Sequence, residues 1–330
     1  MYLRNRFNLF SSRGIEGKLS LPLLLLMLLC SAGCSSPNVK SPTSAQSSVK
    51  NLYTAAGTEL FDSKRAWNHL LRQCAFGPRP VGTDAHKKTR DYLYTEMKLA
   101  ADVATIQDFT YRKMQLSNII GVINPDAKRK VLLCAHWDTR PTADEEVDPV
   151  KQRQPIMGAN DGASGVAVLL ELARVFHAKR PRVGVILVLF DGEDYGDFRK
   201  DEGVFLGSKY FAAHHAGYTP EYGILIDMIG DKNLDIYREV NSQNFAPGTN
   251  EKVFRIAGEM GYRAKFIDDV KYDLSDDHIP LNRARIPTID LIDFSYGPWH
   301  TLDDTPDKCS KDSLNIIGRT LAEVIYREIE

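Results

Sequence analysis

Short, strongly apolar runs alternate along this chain with segments whose apolar residues recur at helical spacing. The runs predict strands at Ala104–Thr110, Ser117–Val122, Lys130–His136, Val183–Asp191, Tyr222–Met228 and Ile286–Ile292. Helical spacing predicts helices at Ser63–Cys74 and Ala85–Lys98, where Tyr92, Leu93 and Met97 share a face, with the turn-rich stretch Gly77–Gly82 between them. The main central helix is expected at Gly165–Ala178, with one apolar face of Val168, Leu169, Leu172 and Val175. Further helices are expected at Gly207–His215, Lys252–Met260 and Ser313–Arg327. Val/Ile/Leu-rich strands alternating with helices imply a three-layer α/β/α fold around a mixed, mostly parallel sheet. Ligands bind such sheets beyond the carboxyl ends of the strands.

The N-terminal pattern is different. Arg4, Arg6, Arg13 and Lys18 precede an apolar stretch, Leu19–Leu29, that is too short for a permanent membrane span. It ends in Cys30-Ser31-Ala32-Gly33-Cys34. Small residues before a cysteine resemble a bacterial lipoprotein signal, with cleavage before Cys34 and lipid on its thiol. Residues 1–33 are therefore expected to be removed, residues 34–50 to form a Ser/Pro-rich tether, and residues 51–330 to form one catalytic domain. The expected location is a membrane surface facing the periplasm or the cell exterior, with the protein a monomer.

Loss of residues 1–33 removes four basic residues and Glu16, so the formal charge moves from −1 to −4. That balance offers nothing to nucleic acid. Cys74, Cys134 and Cys309 fit no zinc-finger spacing and are expected to be buried free thiols, with one disulfide as the alternative in an oxidising compartment.

Four stretches put metal-ligand and acid–base residues where strands end: Ala135-His136-Trp137-Asp138, Gly158–Gly162, Phe190–Asp194 and Pro298–Thr301. Buried charges of this kind need a partner, and a divalent cation is the simplest. Asp161 and Asp194 are separated by one helix and one strand, a crossover that returns both to one sheet edge. With His300 they offer two oxygens and one nitrogen, a three-ligand set with an open position, as in catalytic zinc. Glu193 beside Asp194 is then free for proton transfer. His136 and Asp138 point the same way and either bind a second metal with Asp227 or support the first one. Asp227 ends an apolar strand and is functional in both schemes. In Ser275-Asp276-Asp277-His278 one acid is expected to cap the helix that follows. The acidic runs at 144–146 and 197–202 read as solvated loops, and His177, His214 and His215 as surface or packing residues.

Phe190–Asp194, Gly207-Ser208, Asp227–Gly230, Asp276–Pro280 and Trp299–Asp304 together resemble the glutaminyl-peptide cyclotransferases, which share fold and ligand order with zinc aminopeptidases. The resemblance runs from about Leu70 to the C-terminus. It implies a zinc aminopeptidase-like, phosphorylase/hydrolase-like fold and one Zn2+ on Asp161, Asp194 and His300, with two possible. Glu193 would shuttle the proton, Asp227 and Asp276 would bracket it, and Trp299 would wall the glutamine pocket. The implied reaction converts N-terminal glutamine of peptides or proteins to pyroglutamate with release of ammonia. A zinc aminopeptidase is the alternative. Two departures stand out: Asp194 replaces the usual Glu, and Ser275 replaces a glutamine.

Overall fold

The computed structural model describes residues 57–330, all within one compact unit. The expected signal segment, Cys34 and the expected tether lie outside the described residues.

In chain order the elements are α1 (Ser63–Ala75), α2 (Asp84–Ala100), β1 (Val103–Tyr111), β2 (Met114–Ile123), β3 (Lys130–His136), α3 (Ala163–Ala178), β4 (Gly184–Phe190) and α4 (Leu206–Ala213). There follow β5 (Tyr222–Asp227), β6 (Ile236–Glu239), α5 (Val240–Phe245), α6 (Pro247–Glu259), β7 (Phe266–Tyr272), α7 (His278–Arg283), β8 (Thr288–Ile292) and α8 (Lys311–Tyr326). Six strands form one sheet in the order β1-β2-β4-β3-β5-β8. The β1/β2 and β2/β4 pairs are antiparallel, while β4/β3, β3/β5 and β5/β8 are parallel. All predicted strands are present; β6 and β7, a separate parallel pair, escaped the sequence pattern.

Residue alternation divides the core between the two faces of the sheet. Val131, Leu133 and Ala135 of β3, Val185, Leu187 and Leu189 of β4, and Ile224 and Ile226 of β5 pack with α3 and α8. Leu132, Cys134, Ile186, Val188, Phe190 and Leu225 pack instead with Phe211 of α4 and Leu281 of α7. The central helix departs from the expected single apolar face. Both sides of α3 are buried, because α1 and α8 cover the side turned away from the sheet. A helix apolar all round is one enclosed by protein. Its one buried acid, Glu171, accepts from Asp62 N (3.0 Å) and Arg174 Nε (2.9 Å).

Cys74, Cys134 and Cys309 are buried free thiols. Among the described residues no helix is long and apolar enough to cross a membrane. His136 and Asp227 end β3 and β5, Asp194 follows β4, His300 follows β8, and Asp161 lies just before α3. The chemistry therefore gathers at the carboxyl edge of the parallel strands.

Candidate metal and acid–base site

Asp161, Asp194 and His300 come together, all buried, with one donor atom from each within 4.8 Å of the others. His300 Nε2 is 3.5 Å from Asp194 Oδ1 and 3.7 Å from Asp161 Oδ2. Ligands at zinc bond lengths in a tetrahedron stand roughly 3.4 Å apart, so the spacing suits a single ion. Asp194 Oδ2 is buried with no hydrogen-bond partner in the protein. An orphaned carboxylate oxygen inside a ligand trio is what a cation would satisfy. The oxygen and nitrogen donors present therefore fit zinc.

A second trio shares Asp161: His136 and Asp227 are its other members. Here His136 Nε2 lies 3.1 Å from both Asp161 Oδ1 and Asp227 Oδ1. Asp138 is in neither trio. Its carboxylate accepts from the backbone of Glu193 (3.0 Å) and Asp194 (3.3 Å), fixing the loop after β4.

The loops are braced by further buried residues, among them Arg79, which no sequence motif marked. Buried Arg79, in the turn before α2, donates to Trp137 O (2.7 Å), Met157 O (2.9 Å) and Gly158 O (2.8 Å). It joins the loop after β3 to the one carrying Asp161. Asp304 receives the N–H groups of Asn160 (2.9 Å) and Asp161 (3.1 Å) and the Tyr296 hydroxyl (2.8 Å). Gly162 has φ +94°, and a Cβ there would stand 2.8 Å from Asp138 O, so the turn into α3 requires glycine. Met228 and His300 hold positive φ values of 48° and 55° without that freedom. Such strain persists only where the surroundings over-determine the backbone.

Two expectations are corrected. The 144–146 run is not simply solvated: Asp144 lies 3.0 Å from His300 Nδ1 and pairs with Arg140 (2.6 Å), while Glu146 accepts from Leu302 N (3.1 Å). Arg140 in turn reaches Asp194 Oδ1 at 3.1 Å, so it grips the shortened acid from behind. Nor does an acid cap α7. Asp277 stands at the N-cap position, but its carboxylate is taken by the Ser208 hydroxyl. Short-range capping loses here to a buried long-range partner. In the 197–202 run Phe198 lines the cleft, although Arg199–Glu202 are exposed.

The adjacent acids are driven apart. Burial, and then the Asp194 charge, hold the Glu193 carboxyl well above its ordinary range. Burial acts the same way on Asp194, but His300 and Arg140 outweigh it and bring that group down to about 2. Burial and the Asp227 charge raise Asp276 to about 6. One carboxyl built to hold a proton beside one built to stay ionised is an acid–base arrangement.

The cleft, about 370 Å³, is lined by Glu193, Asp227 and Asp276 on one side and by Phe198, Leu274, Phe294 and Trp299 among its apolar groups. Trp299 stacks on His300, with centroids 3.8 Å apart, and meets Phe294 edge-on.

Residues 118–325 match peptidase family M28. The chain belongs to this family. Among solved structures, it is similar to a leucine aminopeptidase precursor from Bacteroides thetaiotaomicron at 40% identity, covering 81% of this chain and 98% of that one (TM-score 0.78). It is similar to the same organism's glutaminyl cyclase, bound to N-acetylhistamine, at 39% identity, with the same coverage and TM-score. The glutaminyl-peptide cyclotransferase of Drosophila melanogaster is 27% identical over 285 residues, 74% of this chain and 76% of that protein.

Proposed function

We propose that this protein is a glutaminyl-peptide cyclotransferase, a zinc-dependent acyltransferase that closes N-terminal glutamine to pyroglutamate. The observation that carries this reading is the 39% identity to a glutaminyl cyclase, nearly all of whose chain is covered. The site chemistry agrees with it.

The reaction makes a bond between the substrate's α-nitrogen and its γ-carbon, and breaks the bond from that carbon to the amide nitrogen. Trp299, Phe294 and Leu274 receive the glutamine methylenes, which lets the side chain fold back toward its own amine. Glu193, Asp227 and Asp276 face the same space and attract the α-ammonium group. Glu193 accepts the proton from the attacking amine and returns it to the departing ammonia, a task suited to its raised affinity for protons. Zinc held by Asp161, Asp194 and His300 supplies Lewis-acid polarisation of the γ-carboxamide oxygen when bound. Because nucleophile and electrophile belong to one residue, positioning within the cleft supplies much of the rate.

One zinc per chain accords with the distances. His136 Nε2, at 3.1 Å from two carboxylates, has hydrogen-bond rather than co-ligand spacing. Burial opposes a charge on His136, but Asp227, then Asp138 and Asp161, outweigh it and raise its affinity for a proton well above the ordinary value. Metal analysis of the purified protein should give about one zinc per chain. Two tightly held ions, one of them lost with His136→Ala, would favour the aminopeptidase alternative, which the second trio and the aminopeptidase precursor keep in view.

The deciding experiment is incubation with a glutaminyl dipeptide followed by mass analysis. Loss of ammonia with the peptide bond intact is expected. A released amino acid would overturn the reading.

A further inference from the structure

The cleft does not end at the glutamine pocket. Phe198 and Ser275 line both the cleft and a second groove, about 470 Å³, whose other walls are Asp201, Phe205, Lys209, Ile279, Pro280 and Arg283. The two spaces adjoin across Phe198 and Ser275, so a peptide whose first residue fills the cleft has this groove next to it.

The charges of the two spaces are opposite. Four acids, Asp161, Glu193, Asp227 and Asp276, line the inner cleft. The groove holds two cations and one anion. Lys209 is already paired with Asp201 at 2.8 Å. Arg283 is exposed and has no ion-pair partner among the described residues. As the last residue of α7 it stands one turn from Ile279, so both meet the groove from one helix face. An uncommitted guanidinium at the rim of an apolar groove is a carboxylate receptor.

We propose that this groove is a subsite for the residues that follow the glutamine, and that Arg283 makes it prefer a carboxylate on one of the first two of them. The inference rests on the reading of glutaminyl peptides as substrates and extends it to their sequence. The apolar walls Phe205, Ile279 and Pro280 take the stem of a glutamate side chain, and Arg283 takes its head.

The test compares kcat/KM for ammonia release from Gln-Glu-Ala-amide, Gln-Ala-Glu-amide, Gln-Ala-Ala-amide and Gln-Lys-Ala-amide. Gln-Ala-Ala with a free C-terminus separates a terminal carboxylate from a side-chain one. A glutamate peptide should exceed its lysine counterpart about two- to fivefold at low salt, the scale of an exposed ion pair. The preference should shrink toward unity at 1 M salt, where screening reaches ~3 Å. In Arg283→Glu the order of glutamate and lysine peptides should reverse, mainly through KM; Arg283→Lys should retain the wild-type order. A free C-terminus outperforming both glutamate peptides would overturn the side-chain assignment. An unchanged order in Arg283→Glu would overturn the subsite while leaving the cyclase intact. Absence of ammonia from every peptide would instead defeat the functional reading, and the subsite with it.

Discussion

Glu193 and Asp194 are neighbours in sequence with opposite surroundings. Asp194 has His300 and Arg140 against it, whereas Glu193 faces further acids. Glu193→Gln should therefore keep zinc and lose turnover by about 10²–10⁴-fold, since only the proton carrier is removed. Asp194→Ala should lose both zinc and turnover. An emptied metal site in Glu193→Gln would reverse the assignment. Asp144 supplies a separate test, because it stands beside His300 Nδ1 without facing the cleft. Asp144→Asn should loosen zinc by about 10–100-fold, as loss of a carboxylate behind a ligand histidine does. Competition with a chelator measures this without reference to turnover. Asp161, Asp194 and His300 were legible in the sequence because each sits next to a strand end or a glycine-rich turn. Arg79, Arg140 and Asp144 were not. Arg79 and Arg140 are single charges in loops and Asp144 opens an acidic run, and only the fold brings them to Trp137, Asp194 and His300.

At the scale of elements, legibility followed length and burial. Strands β3, β4 and β5 are apolar on both faces and stood out at once. Strand β7 is mostly exposed and carries Asp268, Asp269 and Lys271, so no period marks it. Strand β6 has only four residues. The piece that ties them in is Glu239, which accepts from the N–H groups of Asn241 (2.8 Å), Ser242 (2.6 Å) and Leu274 (3.1 Å). It caps α5 and anchors the segment after β7. Burial penalises its charge, but His278, 3.4 Å away, and the N–H groups prevail and lower it from 4.5 to about 2. A depressed acid stabilises the fold above its unfolded pKa, and that contribution disappears as pH falls through the folded one. The shift corresponds to on the order of 3 kcal/mol. Glu239→Gln should thus be less stable than wild type by roughly that amount at pH 6, with the gap closing between pH 4.5 and 2. Urea unfolding at several pH values checks this; a gap independent of pH would remove the charge from the explanation.

At the scale of the whole molecule the catalytic unit is closed on itself. Its sheet is covered on both faces, its site is braced from within by Arg79 and Asp304, and every bracing partner lies among residues 57–330. The side chains assigned to the chemistry all lie among the described residues. We propose that the N-terminal segment serves location: small residues lead up to Cys34, and the polar run that follows has the composition of a spacer. Lipid on Cys34 would hold the enzyme at a membrane surface outside the cytoplasm, where N-termini of exported peptides are exposed. A single acyl chain binds membranes only marginally, whereas several chains on one cysteine hold firmly. Cys34→Ser should therefore move the processed protein into the soluble envelope fraction, with zinc content and turnover per molecule unchanged. Continued fractionation with membranes after signal cleavage would sink the anchor. Released protein that had lost turnover would show instead that residues before 57 contribute to the catalytic unit.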